Sequence, residues 1–141
     1  MDYAAIFRSA PFVAAIGIEA DRIGDGHCES RLQLKEQHLQ HDGVVHAGVL
    51  ATMADHSAGA AAASLLRPGE IVLTTEFKIS LLRAARGERL LCAAEVIKPG
   101  SRVTFAESTV RCESGDRSVL VARASVSLAV LPATTQAVAK E

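Results

Sequence analysis

No excess of positive charge is present: 15 lysines and arginines face 16 aspartates and glutamates, for a formal net charge of -1. Nucleic-acid binding needs clustered basic surface to meet phosphate, so bulk charge argues against it. Cysteine is scarce. Cys28, Cys92 and Cys112 are an odd number, far apart, and lack the close pairing of a zinc site or redox motif. Each reads as a small buried hydrophobe, and neither a metal nor a cofactor is expected. Aromatics make up only 4% of the chain, which offers little to stack on an aryl ligand. The amino terminus, Met1 to Arg8, carries an acid where a secretory leader would carry lysine or arginine, and its apolar run is short. A cytoplasmic protein is expected. An uninterrupted apolar span is missing too: Val44 to Leu66 is rich in small and aliphatic residues, but His46, Asp55 and His56 break it. A carboxylate at mid-bilayer is costly, so this segment reads as a helix buried in protein, with no membrane partner.

What is present suits one globular domain. Hydrophobic residues make up 49% of 141 positions, enough for one core and too short a chain for two domains. Residues 1–131 read as that domain, and 132–141, small and polar, as a frayed tail. Cys28, Ser30, Leu32 and Leu34 alternate with His27, Glu29, Arg31 and Gln33, a half-buried strand after the Gly24-Asp25-Gly26 turn. From about Ala47 to Leu66 the pattern becomes one long helix, apolar nearly all round, stopped by Arg67-Pro68-Gly69. Strand-like runs follow at Ile71 to Leu82, Arg89 to Lys98, Arg102 to Cys112 and Val119 to Val130. In the first of these, Ile71, Leu73, Phe77, Ile79 and Leu81 are expected on one face and Thr74, Glu76, Lys78 and Ser80 on the other. Segregated helix and strands make the class α+β, with an antiparallel sheet wrapped round the helix. The open edges of such a sheet are satisfied by pairing with a second copy, so a homodimer at least is expected.

The informative segment runs from Gln40 to Asp55. A loop containing Gly43 leads to a helix mouth at His46-Ala47-Gly48, where small residues let a ligand approach N–H groups that the first turn leaves unpaired. Such amides suit an oxyanion. Asp55 is the only acid between Asp42 and Glu70, about two turns inside the helix, and an unpaired carboxylate in apolar surroundings wants a reason. The reading requires Asp55 to face the same small cavity as the amides at the helix start. His38, His41 and His46 lack any familiar metal-ligand spacing, and His56 reads as a core or interface histidine. Arg83, Arg86 and Arg89 cluster about Ala84-Ala85, and Lys98 and Arg102 flank Pro99-Gly100; either group suits anionic oxygens.

Gly43-x-x-His46-Ala47-Gly48 followed by Asp55 resembles the Asn-x-x-Gly-x-x-His-Gly-Gly-x6-Asp segment of the hotdog-fold thioesterases of the phenylacetate-pathway (PaaI-like) family. Thr74 to Ala85, followed by Gly87, is similar to the strand and turn after the helix in that family, and the likeness spans roughly Phe12 to Val130. The resemblance implies a hotdog fold, an acyl-CoA substrate, and a homodimer or a dimer of dimers. It implies that Asp55 is general base or nucleophile, and that the N–H of Ala47, with Gly48, polarises the thioester carbonyl. It also implies that Thr74 reaches the site from the partner subunit to orient water. Gln40 stands where many members have asparagine, and Ala47 where they have the first glycine. Gly43, Arg83 and Arg86 are the candidate substrate contacts, and His46 a further candidate at the site. Two other readings stay open: a hydratase or dehydratase of the same architecture, with His46 facing the acyl β-carbon, and an acyl-CoA-binding protein without turnover.

Overall fold

The computed structural model describes residues 1–133. Two short helices, α1 (Tyr3–Arg8) and α2 (Pro11–Ile16), precede strands β1 (Glu19–Gly24) and β2 (His27–Gln33). The long helix α3 (Ala47–Ala63) follows, then β3 (Glu70–Leu81), β4 (Arg89–Lys98), β5 (Val103–Ser114) and β6 (Arg117–Pro132). All six strands form one antiparallel sheet in the order β1-β2-β4-β5-β6-β3, packed on α3. This is the hotdog arrangement.

The buried residues of α3 recur as Val49-Leu50, Met53-Ala54, Ser57-Ala58 and Ala61-Ala62, pairs four apart that form one stripe against the sheet. Inner-face residues of the strands, Leu32, Leu90, Val110, Val126 and Leu128, complete that core. Its few polar groups are paired: Ser108 Oγ donates to the Ala54 carbonyl at 2.7 Å, and the hydroxyls of Ser30 and Ser57 meet at 2.8 Å. The three cysteines are free and buried. Burial pushes the Cys28 thiol up to about 12 and the Cys92 thiol to about 11. No helix among the described residues is long and apolar enough to cross a membrane.

Several expectations are corrected. α3 ends at Ala63, with Ser64 as its cap, short of Leu66. Although apolar nearly all round, it is covered fully on one stripe only. The strand after the Gly24-Asp25-Gly26 turn has an unexpected partner before it, because Asp25 and Gly26 both adopt positive φ, 50° and 77°, and close a two-residue hairpin. β1 is polar and lies on the sheet edge, so it carries no alternating pattern of its own. Pro132, placed in the tail from sequence, still pairs with Glu70, and the Ala133 N–H donates to the Gly69 carbonyl at 2.8 Å. The rest of that tail, 134–141, lies outside the described residues.

The face assignment of β3 also changes. Thr74 pairs with Leu128 but Glu76 pairs with Ser127, so Thr75 is a bulge. Directly opposed residues share a face, and the inserted residue reverses the alternation. Thr74 therefore joins Val72, Phe77, Ile79 and Leu81 on the inner face, while Leu73 pairs with Ala129 on the outer one.

Candidate active site

Asp55 sits on the second stripe of α3, with His56, Gly59, Ala60 and Ala63, one residue pair round from the stripe against the sheet. These five line a cavity of about 380 Å³. Its far wall is α1, through Tyr3, Ile6 and Phe7. α1 is held by Asp2, whose carboxylate accepts the Ala5 N–H at 3.0 Å, and by His56. The His56 Nε2–H donates to the Phe7 carbonyl at 3.0 Å, and the two rings meet edge to face with centroids 4.4 Å apart. His56 is thus a structural tie beside the carboxylate, consistent with its sequence reading.

Asp55 is half-buried and makes no ion pair among the described residues. Its partner is Thr74, whose Oγ1 donates to Asp55 Oδ1 at 2.7 Å. The resemblance brings Thr74 in from a second subunit; here the bond lies within one chain, because the bulge at Thr75 turns Thr74 inward. One carboxylate oxygen is engaged, which orients the group and leaves the other free to accept a proton.

The helix start is a separate place. His46 caps α3 with its ring: Nδ1 accepts the Gly48 N–H at 2.8 Å. Gly48 is needed for that contact, since a Cβ there would stand 3.0 Å from the same ring nitrogen. The Gly48 amide, an expected oxyanion donor, is therefore occupied. The Ala47 N–H takes no acceptor among the described residues, and Ala47 does not have positive φ, so alanine in place of the family's glycine carries no backbone strain. Gln40 and Gly43 shape the loop before it. The Gln40 side chain accepts the Asp42 N–H, the Gly43 N–H donates to the Gln40 carbonyl at 3.0 Å, and Gly43 turns with φ of 80°.

Asp55 lies eight residues into the helix from Ala47, about 12 Å along the axis at ~1.5 Å per residue. The cavity at Asp55 is lined by neither Ala47 nor Gly48. Within one chain, the acid and the helix-start amides do not share a cavity, and that expectation is corrected.

Arg83 and Arg86 line a second cavity of about 280 Å³, joined by Arg117, which sequence reasoning did not single out. All three are exposed and none makes an ion pair among the described residues. Arg86 reaches the loop at Gly43, its Nη1 3.9 Å from where a Cβ on that glycine would stand. The arginine group thus adjoins the helix start rather than the cavity at Asp55. The histidines are dispersed into local roles. Buried His38 accepts the Lys35 N–H on Nδ1 and donates from Nε2 to the Ile16 carbonyl, and His41 stays exposed beside Asp42. No group of three or more His, Cys, Asp or Glu side chains could hold a metal ion among the described residues.

A sequence model of the thioesterase superfamily matches residues 42–119. The chain is 33% identical over 129 residues to PA0474 of Pseudomonas aeruginosa, a protein named for a proposed esterase activity, covering 85% of this chain and 88% of that one. Over 113 residues it is 26% identical to a 1,4-dihydroxy-2-naphthoyl-CoA hydrolase of Listeria monocytogenes, covering 80% and 91%. The crystal structure of a thioesterase family protein from Silicibacter pomeroyi superposes with a TM-score of 0.89 at 32% identity, covering 92% of this chain and 96% of the other.

Proposed function

The chain belongs to the thioesterase superfamily, and we propose that this thioester hydrolase acts on acyl-CoA with Asp55 as its catalytic carboxylate. The observation that carries the reading is the bond from Thr74 to Asp55: an acid with no ion pair among the described residues, oriented by a hydroxyl, at the wall of an apolar cavity. Water activation needs little more, because a thioester carbonyl is electrophilic and a thiolate leaves readily. Asp55 takes a proton from water as the water oxygen attacks the carbonyl carbon. The carbon–sulfur bond then breaks, and the departing thiolate takes up the proton.

The negative charge that develops on the carbonyl oxygen is met by the N–H of Ala47 at the positive end of α3. Because that amide lies about two turns from Asp55 of the same chain, a site that uses both is assembled from two copies. The edge strand β3, with Leu73 and Phe77 exposed along it, is the natural seam of such a dimer. Exposed Ile97, Val103 and Phe105 on β4 and β5 offer a second apolar patch for a dimer of dimers. Arg83, Arg86 and Arg117, beside the loop at Gly43, suit the phosphates of the CoA nucleotide. The Gly43-x-x-His46-Ala47-Gly48 segment favours the PaaI-like branch, and free buried thiols fit a reducing cytoplasm. His46, which a hydratase would need at the acyl β-carbon, is engaged in capping α3, and that favours hydrolysis.

Subunit complementation tests the reading. Asp55→Asn removes the acid, and Ala47→Pro removes one N–H at a position where proline suits a helix start. Each variant alone is expected to lose thiol release from acyl-CoA. Refolding the two together at equal amounts restores roughly a quarter of parental activity if the site spans two copies, from random pairing in a symmetric dimer. Full activity in Asp55→Asn alone would refute the catalytic assignment, and no recovery on mixing would refute the shared site.

A further inference from the structure

Gly59 is a glycine without a structural reason. It stands inside α3, where glycine lowers helix stability relative to alanine because its backbone loses more freedom on folding. A Cβ built on it meets no atom within 4 Å, its φ is not positive, and so neither crowding nor backbone shape excludes a side chain. The space that such a side chain would take belongs to the cavity at Asp55, and Gly59 follows Asp55 by four residues, on the same face of the helix. Ala60 and Ala63 extend that small-residue floor, and Ile6 and Phe7 of α1 form the apolar wall opposite. At about 380 Å³ the volume lies within the ~300–1,000 Å³ usual for ligand pockets.

We infer that the missing side chain of Gly59 is the lane for the acyl group, and that the enzyme prefers an uncharged, apolar acyl chain of medium length over acetyl. The inference rests on the reading of Asp55 as the thioester-cleaving acid, since that places the carbonyl at one end of the lane. From there the chain runs past Gly59 toward α1, with Tyr3 at the rim. A carboxylate-bearing acyl group is rejected, because among the described residues the lining holds no lysine or arginine to pair with it, and His56 is tied to the Phe7 carbonyl.

The test is a chain-length series from acetyl-CoA to dodecanoyl-CoA, assayed by thiol release with the parent, Gly59→Ala and Gly59→Leu. In the parent, kcat/KM is expected to rise about fourfold per methylene until the cavity fills, which is ~0.8 kcal/mol per buried CH₂. Leucine at 59 displaces two to three methylenes, so the ratio of kcat/KM for octanoyl-CoA to that for acetyl-CoA should fall by about 15- to 60-fold on the same scale. Gly59→Ala should lower the ratio less and melt at or above the parental temperature, which separates a blocked lane from a damaged fold. An unchanged ratio in a folded Gly59→Leu enzyme that still depends on Asp55 would overturn this inference alone. If the parent releases thiol from no acyl-CoA, the catalytic reading fails instead. Calorimetric binding of octanoyl-CoA then decides the lane, with weakening by Gly59→Leu supporting it and indifference overturning it.

Discussion

The two stripes of α3 make a controlled comparison, because they share one backbone and differ in what their side chains face. On one, Val49, Leu50, Met53 and the alanines are sealed against the sheet; on the other, Asp55, His56 and Gly59 border a cavity. Side chains on the sealed stripe are chosen for volume, and any loss there leaves a void that close-packed surroundings cannot refill. Those on the open stripe are chosen for what they leave room for. Stability and chemistry are thus separated by about half a turn of helix, and changes on the two stripes should have opposite signatures.

Alkaline pH should affect the sealed side most. The Cys28 and Cys92 thiols keep their protons in the folded protein to about 12 and about 11, against an ordinary 9.0. Only the unfolded chain releases these protons as pH climbs past 9, so stability is full below that pH and declines toward 11–12. Denaturant midpoints should hold from pH 8 to about 9 and fall from there to 11, and Cys28→Ala should flatten the slope; a pH-independent midpoint would contradict the burial. Next comes truncation. Met53→Ala is expected to cost about 2–5 kcal/mol in chemical denaturation, whereas Asp55→Asn should melt within a few degrees of the parent yet lose at least about 100-fold in turnover. If the two variants exchanged signatures, the division of the helix would be wrong. Thr74→Ala deletes the hydroxyl on Asp55 and should lower kcat about tenfold, the loss of one charge-assisted hydrogen bond, with Thr74→Ser restoring most of it. The smallest effect is a gain: Gly59→Ala should stabilise by about 0.5–1 kcal/mol, seen as a modest rise in melting temperature.

Much of this was legible in the residues, and where it was not the reason is local. The long helix declared itself by composition and by the stop at Arg67-Pro68-Gly69, and Asp55 by being the lone acid within it. β1 hid because Glu19, Asp21 and Arg22 lie on a solvated edge; the Asp25-Gly26 turn was its one signal, since a hairpin needs an arm on each side. α1 and α2, six residues each, are too short for periodicity to register, so the wall of the cavity could not be foreseen. That also explains why aromatic side chains near the acid, Tyr3 and Phe7, escaped notice in a chain so poor in them. Arg117 joins Arg83 and Arg86 only because β6 returns beside the loop that follows β3, a neighbourhood that exists in the sheet and not along the chain. Eight residues look close in sequence, which draws the helix-start amides and Asp55 together; on a rigid helix they are a fixed distance apart.

Thr75 contributes a hydroxyl to the Ser127 carbonyl and stands exposed, an unremarkable residue by any ordinary measure. Yet it acts on the strand as a single inserted letter acts on a reading frame. Upstream of it the odd-numbered positions point outward, and downstream they point inward. Delete it, and Thr74 and Glu76 become direct neighbours that keep Leu128 and Ser127 as partners, so Thr74, Phe77 and Ile79 all stay inward in one unbroken phase. An alignment that runs regular alternation straight through Thr75 sends either Thr74 or the pair Phe77 and Ile79 to the wrong face on paper.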